Sequence, residues 1–75
     1  MRATYTAYVE FDPETHLYVG VVPGLAGAHS QGATLDELHT NLKEVIELVI
    51  EERTSRGETI DPDHFVGIQL VAVGA

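Results

Sequence analysis

Gly32-Ala33-Thr34-Leu35-Asp36-Glu37-Leu38 marks the point where the hydrophobic pattern of this chain changes period. The four residues Thr34-Leu35-Asp36-Glu37 spell a capping box. In such a box the Thr34 hydroxyl accepts from the amide of Glu37, and the Glu37 carboxylate reaches back to the amide of Thr34. Asp36 and Glu37 also place negative charge at the positive end of a helix dipole. From Leu35 onward, Leu38, Leu42, Val45, Ile46, Val49 and Ile50 recur at helical spacing. At 100° per residue they span an arc of roughly 140°, which predicts an amphipathic helix with one buried face. The opposite arc holds Asp36, Glu37, Glu44, Glu47 and Glu51. The helix is expected to end near Arg56, with Gly57 as a left-handed cap and Arg53 and Arg56 favourable at the negative end.

Upstream of this junction the period is two. Within residues 4–11, Tyr5, Ala7, Val9 and Phe11 point one way, and Thr4, Thr6, Tyr8 and Glu10 the other. Aromatic and β-branched residues in that alternation predict a strand. Asp12-Pro13-Glu14-Thr15-His16 reads as a turn, and residues 17–22 as a second strand closing an antiparallel hairpin. Pro23-Gly24 is a turn dipeptide in which Gly24 is expected to take a positive φ. Gly27 and Gly32 bracket a short third strand, Ala28-His29-Ser30-Gln31.

Downstream of the helix, residues 59–64 form a polar linker containing Pro62, and residues 65–73 a final strand. In that strand Val66, Ile68, Leu70 and Ala72 share one side; Phe65, Gly67, Gln69, Val71 and Val73 share the other. Both sides are largely apolar, so the strand is expected to be central or covered on both faces. The order is β-β-β-α-β, an α+β domain with one helix packed on a small antiparallel sheet. The alternation leaves open which sheet face meets the helix. The face left over is partly apolar and favours self-association.

Composition bounds the rest. The chain has 75 residues, 12 Asp+Glu against 4 Lys+Arg, a formal net charge of −8, and no Cys or Trp. One domain over residues 1–75 is expected. Area scaling gives a folded surface of roughly 4,500 Å² against about 11,700 Å² unfolded, so about 62% is buried, a marginal core. Without Cys there is neither a disulfide nor a thiolate metal site to add stability, which leaves oligomerisation or a partner. A Cys-free chain suits the reducing cytoplasm, and neither a signal segment nor a membrane span is evident, so a cytoplasmic location is expected. The basic residues Arg2, Lys43, Arg53 and Arg56 are scattered, which argues against direct nucleic-acid binding. The acidity instead matches a basic protein partner, whose encounter it would speed, or serves solubility alone.

Catalytic constellations are weak. Ser30 and Ser55 lie in no elbow motif, and His29 and Ser30 are neighbours on a strand, so their side chains diverge. Asp12, Glu14 and His16, and separately Asp61, Asp63 and His64, offer oxygen and imidazole ligands, but at no zinc-helix or calcium-loop spacing. Turn and cap chemistry explains them as well. Glu10 and Asp12 share a strand face without a convincing third acid. Gly24, Gly27 and Gly32 form no phosphate cradle. The expectation is a protein that is not an enzyme and carries neither metal nor cofactor. Leu48 falls among the acids of the helix, between Glu44 and Glu52. It reads either as an ordinary exposed Leu or as a contact for an oligomer or partner.

Taken together, Tyr8-Val9-Glu10-Phe11-Asp12-Pro13-Glu14-Thr15, Tyr18-Val19-Gly20-Val21-Val22, Pro23-Gly24-Leu25-Ala26-Gly27, Gln31-Gly32-Ala33-Thr34-Leu35-Asp36-Glu37-Leu38 and Asn41-Leu42-Lys43-Glu44 resemble the HicB-like antitoxin family. The hairpin, the P-x-L-x-G turn, the Q-G-x-T-x-x-E junction and the Leu- and Glu-rich helix follow in that family's order over roughly residues 5–52, and the final strand fits as well. The resemblance implies the antitoxin of a type II toxin–antitoxin pair. Its partner would be a small basic HicA-like toxin that cleaves mRNA; the antitoxin masks the toxin's catalytic His or blocks its RNA. The resemblance also implies dimers or tetramers and a cytoplasmic protein. Two departures are visible. Ala28 stands where many relatives have Cys, and the chain ends at Ala75, where full-length relatives usually continue into a DNA-binding module. The expectation is therefore one HicB-like domain with no C-terminal DNA-binding domain. Charge and position nominate Tyr8, Tyr18, Glu37, Glu44, Glu47, Leu48 and Glu51 as partner-binding residues. The competing readings are a solitary homo-oligomeric module, structural or ligand-responsive, without a toxin, and a metal-dependent nuclease using Glu10 and Asp12.

Overall fold

The alternating and helical patterns resolve into four elements in a computed structural model, which describes residues 4–60 and 66–74. They are β1 (Tyr8–Asp12), β2 (Leu17–Val21), β3 (His29–Gly32) and α1 (Leu35–Ser55). The strands form one antiparallel sheet in the order β1-β2-β3, and α1 packs on it, the expected α+β arrangement. The β1 ladder starts later than the alternation does, because its first pair is Tyr8 with Val21 and the chain beyond Val21 turns away. Tyr5 and Ala7 nevertheless keep the pattern and pack half-buried against the core.

The connections are built from local chemistry. Asp12 Oδ1 accepts the amide of Glu14 at 2.9 Å, and the Asp12 carbonyl accepts that of His16 at 2.8 Å. His16 closes this turn at φ 60°, a left-handed position that His tolerates better than most residues. After β2, the amide of Leu25 donates to the carbonyl of Val22 at 3.1 Å, and the amide of Ala28 to that of Leu25 at 3.0 Å. The left-handed residue of this double turn is Gly27 (φ 87°), not Gly24 as expected, because the reversal that returns the chain to the sheet falls in the second turn. The amide of Val22 then donates to the carbonyl of Ala28 at 2.9 Å, closing the loop, and Val22, Leu25 and Ala28 are all buried.

The helix is capped at both ends. Thr34 is extended (φ −131°, ψ 163°), and its hydroxyl accepts the amide of Glu37 at 3.0 Å. At the other end the amide of Gly57 (φ 78°) donates to the Thr54 carbonyl and that of Glu58 to the Arg53 carbonyl, both at 3.0 Å, the paired bonds of a Schellman motif. Two side chains tie α1 to the sheet: Asn41 Nδ2 donates to the Gln31 carbonyl at 2.8 Å, and Arg53 donates to the Ala26 carbonyl.

Register decides which sheet face α1 covers. Val9 pairs with Gly20 and Gly20 with Ser30; Phe11 pairs with Tyr18 and Tyr18 with Gly32. Gly20 and Gly32 are buried under α1, so Val9, Phe11 and Tyr18 look to the helix side as well. A Cβ on Gly32 would stand 2.6 Å from the Leu38 backbone nitrogen and 2.9 Å from its Cα. One on Gly20 would stand 2.8 Å from a Leu42 methyl. Leu38 and Leu42 are buried by this close approach, with Val45, Ile46, Val49 and Ile50 packed half-exposed along the same stripe. The helix lies over β3 and β2 and makes no close approach to β1.

The expected closing strand is not formed within the chain. Residues 66–74 carry no strand and stand in solvent, Val66 and Leu70 fully so; Phe65 lies outside the described residues. The apolar side chains found there have no sheet neighbour to pair with in the single chain. The accessible surface is correspondingly large, 6090 Å².

The two glycine contacts differ in what can yield. Gly32→Ala drives a methyl into helix backbone and should lower stability by about 2–3 kcal/mol, as overpacking does. Gly20→Ala meets only the ends of leucine side chains, which can rotate, and should cost about 1 kcal/mol. Urea unfolding midpoints of the two variants should therefore rank wild type, Gly20→Ala, Gly32→Ala in decreasing order.

Candidate functional site

With its inner stripe on the sheet, α1 turns Glu44, Glu47, Leu48 and Glu51 outward. Their spacing of three and four residues places them on adjacent turns of one face, around a shallow depression of about 450 Å³. Leu48, at its centre, is 64% exposed. Both ion pairs among the described residues belong to Arg56, with Glu52 at 3.7 Å and Glu58 at 3.0 Å. Glu44, Glu47 and Glu51 form no ion pair among the described residues, although Lys43 lies four residues before Glu47 on the helix. Glu44 with Glu47, and Glu47 with Glu51, are like-charge neighbours on a helix, each costing roughly 0.2–0.5 kcal/mol. An exposed apolar side chain ringed by unneutralised acids has the composition of a contact patch for a cationic surface, an apolar anchor inside a polar rim.

Of the residues nominated from the sequence, those four come together and the other three do not join them. Glu37 is committed to the helix start: its amide donates to Thr34 Oγ1, and its Oε1 accepts from the amide of Ala33 at 3.4 Å. The carboxylate thus serves Ala33 rather than Thr34, one residue earlier than the expected box. Tyr8 pairs with Val21 on the sheet face away from the helix, where it lines a shallow hollow with Glu10, Val19 and Val21. Tyr18 lies on the helix side, half-buried against the core, its ring 5.1 Å from that of Phe11.

The residues weighed for catalysis are accounted for locally. His29 pairs with Val21 and Ser30 with Gly20, so their side chains leave opposite faces of the sheet. Glu10 and Asp12 share the outer face, but Asp12 Oδ1 is held by its turn. Among the described residues no three of His, Asp or Glu converge as metal ligands. The trio Asp61, Asp63 and His64 lies outside the described residues.

Sequence reasoning did not single out a second feature. Because α1 stops short of β1, an open groove of about 290 Å³ runs between them, with Tyr5, Ala7 and Val9 on the sheet side and Leu35, Leu38 and Leu42 on the helix side. The available signal was the alternation Tyr5, Ala7, Val9, Phe11, an apolar row longer than one helix edge can cover.

Comparison with known proteins places this geometry in context. Residues 5–70 match the model of the HicB-like antitoxin of bacterial toxin–antitoxin systems. A UPF0150 protein of Thermotoga maritima is 44% identical over 73 residues, covering 97% of this chain and 93% of that protein. One from Synechocystis is 47% identical over 60 residues, covering 80% and 81%, and one from Archaeoglobus fulgidus 36% identical over 69 residues, covering 92% and 93%. No solved structure matches the chain significantly. No helix among the described residues is long and apolar enough to cross a membrane.

If the acids around Leu48 have no structural task, removing their charge should not weaken the fold. The triple variant Glu44→Gln/Glu47→Gln/Glu51→Gln should gain up to about 1 kcal/mol as two like-charge pairs disappear. Its urea midpoint should equal or exceed that of wild type; a lower one would show that the charges hold the structure.

Proposed function

The chain belongs to the HicB-like antitoxin family of bacterial toxin–antitoxin systems, and on that premise we propose that it acts as an antitoxin by laying the acidic face of α1 on a small basic HicA-like toxin. An RNA-cleaving toxin must present Lys and Arg to hold phosphates. Carboxylates at Glu44, Glu47 and Glu51 compete for those cations, while Leu48 supplies apolar contact at the centre. Neutralisation then consists of occupying the RNA path, and no bond is made or broken by the antitoxin. The observation carrying this reading is the exposed, unneutralised acid cluster around Leu48 on a chain of net charge −8. The reading extends to self-association as a dimer or tetramer and to the cytoplasm, where the toxin's RNA substrate lies.

The family signature favours this over a solitary oligomeric module without a toxin, and the two differ in what the neighbouring gene encodes. The test uses that neighbour's product. Wild-type protein should bind it and inhibit its RNA cleavage, with affinity falling as salt rises. Glu44→Gln/Glu47→Gln/Glu51→Gln should bind at least about tenfold more weakly with a flatter salt dependence, and Leu48→Asp should weaken binding by a similar factor. Unchanged binding in both variants, or no basic partner captured even at low salt, would overturn the proposal.

A further inference from the structure

Residues 66–74 read Val-Gly-Ile-Gln-Leu-Val-Ala-Val-Gly, nine positions without a charge or a proline. Such a segment has high strand propensity and, left unpaired, is an aggregation hazard. In the single chain it is unpaired. Ile68 is 63%, Val71 74% and Val73 88% exposed, and Val66 and Leu70 are wholly so. The same chain leaves an opposite vacancy. The sheet has two edges, β1 and β3; α1 packs over β3 but not over β1, no described strand lies beyond β1, and Val9 and Phe11 are half-exposed on its inner face beside the groove under Leu35, Leu38 and Leu42.

We propose that residues 66–73 of one copy add as a fourth strand to the β1 edge of a second copy, the two copies exchanging this strand reciprocally. Val66, Ile68 and Leu70, which share one side of an extended strand, enter the groove against Ala7, Val9 and Leu38. Val71 and Val73, on the other side, would lie on the outer face beside Tyr8 of β1.

Four observations select a second copy as the occupant. In its own chain the segment stands clear of the groove. Each copy offers both the strand and the edge, so a two-fold exchange satisfies both at once, as in isologous swapped dimers. The match to the family model extends through Leu70, which makes the segment part of the domain rather than an appendage. Finally, the areas fit: 6090 Å² is about 1,600 Å² more than the roughly 4,500 Å² expected of a folded 8.1 kDa chain. Removing that surplus from each of two copies buries about 3,200 Å², within the range of obligate homodimers. The Cα radius of gyration, 14.4 Å against about 11.4 Å for a compact chain of this length, reports the same surplus as shape.

The inference deepens the self-association in the proposed function but stands independently of the toxin; its test uses the chain alone, so toxin binding and strand exchange can each fail without the other. By light scattering after size exclusion at about 100 μM, the wild type should have a mass of at least twice 8.1 kDa. Amides of residues 66–73 and of the β1 edge should exchange at least roughly tenfold more slowly than in an unfolded peptide. Leu70→Asp should bring the mass to 8.1 kDa and release protection in residues 66–73. Leu48→Asp, on a different surface, should leave the mass unchanged. A monomeric wild type overturns the proposal. So does an oligomer in which residues 66–73 exchange freely, a measurement on the wild type that stands even if Leu70→Asp fails to fold. An oligomer that survives Leu70→Asp overturns it as well.

Discussion

Two glycines under α1 set the distance between helix and sheet, and the other features follow from that distance. Only Ala33 and Thr34 separate Gly32, the last residue of β3, from the start of the helix, so the chain must fold straight back over its own strand. Any side chain at Gly32 would collide with the backbone of Leu38, which no rotamer change can relieve. Gly20 on the next strand receives the methyls of Leu42 and Leu38 in the same way. The helix is thereby seated low over β3 and β2. Strands lie about 4.8 Å apart and a helix with its side chains is about 10–12 Å wide, so one helix seated over two strands does not cover a third. The uncovered row on β1 and the groove beside it are consequences of this offset seating.

The same seating fixes what α1 shows to solvent. With Leu38 and Leu42 held at the glycines, the positions half a turn away must face outward, and these are occupied by Glu44, Glu47 and Glu51 around Leu48. The caps make that orientation durable. Thr34 holds the first turn, the paired bonds at Gly57 and Glu58 hold the last, and Asn41 and Arg53 anchor the helix to Gln31 and Ala26. The two arginines near the helix end are thus engaged locally, Arg53 with a loop carbonyl and Arg56 with Glu52 and Glu58, and the acids one and two turns earlier stay unneutralised.

What could be read from the sequence was what local chemistry determines. The helix bounds were legible because a Thr cap and a Gly cap act within four residues of themselves. The hairpin was legible because an Asp-Pro turn separates two runs of matched alternation. What is not legible is long-range. Both Tyr8 and Tyr18 are candidates for an interface from sequence, and only the register, which pairs Tyr8 with Val21 and Phe11 with Tyr18, shows that the two tyrosines lie on opposite faces. Which face the helix covers is set by Gly20 and Gly32, and a glycine leaves no trace in a hydrophobic pattern. The left-handed residue of the second loop fell at Gly27 rather than Gly24 because Val22 and Ala28 must meet across it. The two-sided apolar character of residues 65–73 was legible as a need to be covered, but sequence alone does not say whether the covering sheet belongs to the same chain.

Charge separates the two kinds of association proposed for this chain. Two copies at −8 each repel one another, so they approach only where burial of apolar surface outweighs that repulsion. Residues 66–74 carry no charge, and the groove is lined by the uncharged Tyr5, Ala7, Val9, Leu35, Leu38 and Leu42 together with His39. The acid patch shares no residue with either surface. On the two proposals above, a second copy would be turned away by the patch and admitted at the groove, whereas a basic protein would be drawn to the patch and gain little from a groove whose one titratable side chain besides Tyr5 is His39. The proposed strand exchange and the proposed capture of a cationic partner would use different residues and opposite electrostatics, so neither would have to be undone for the other to occur.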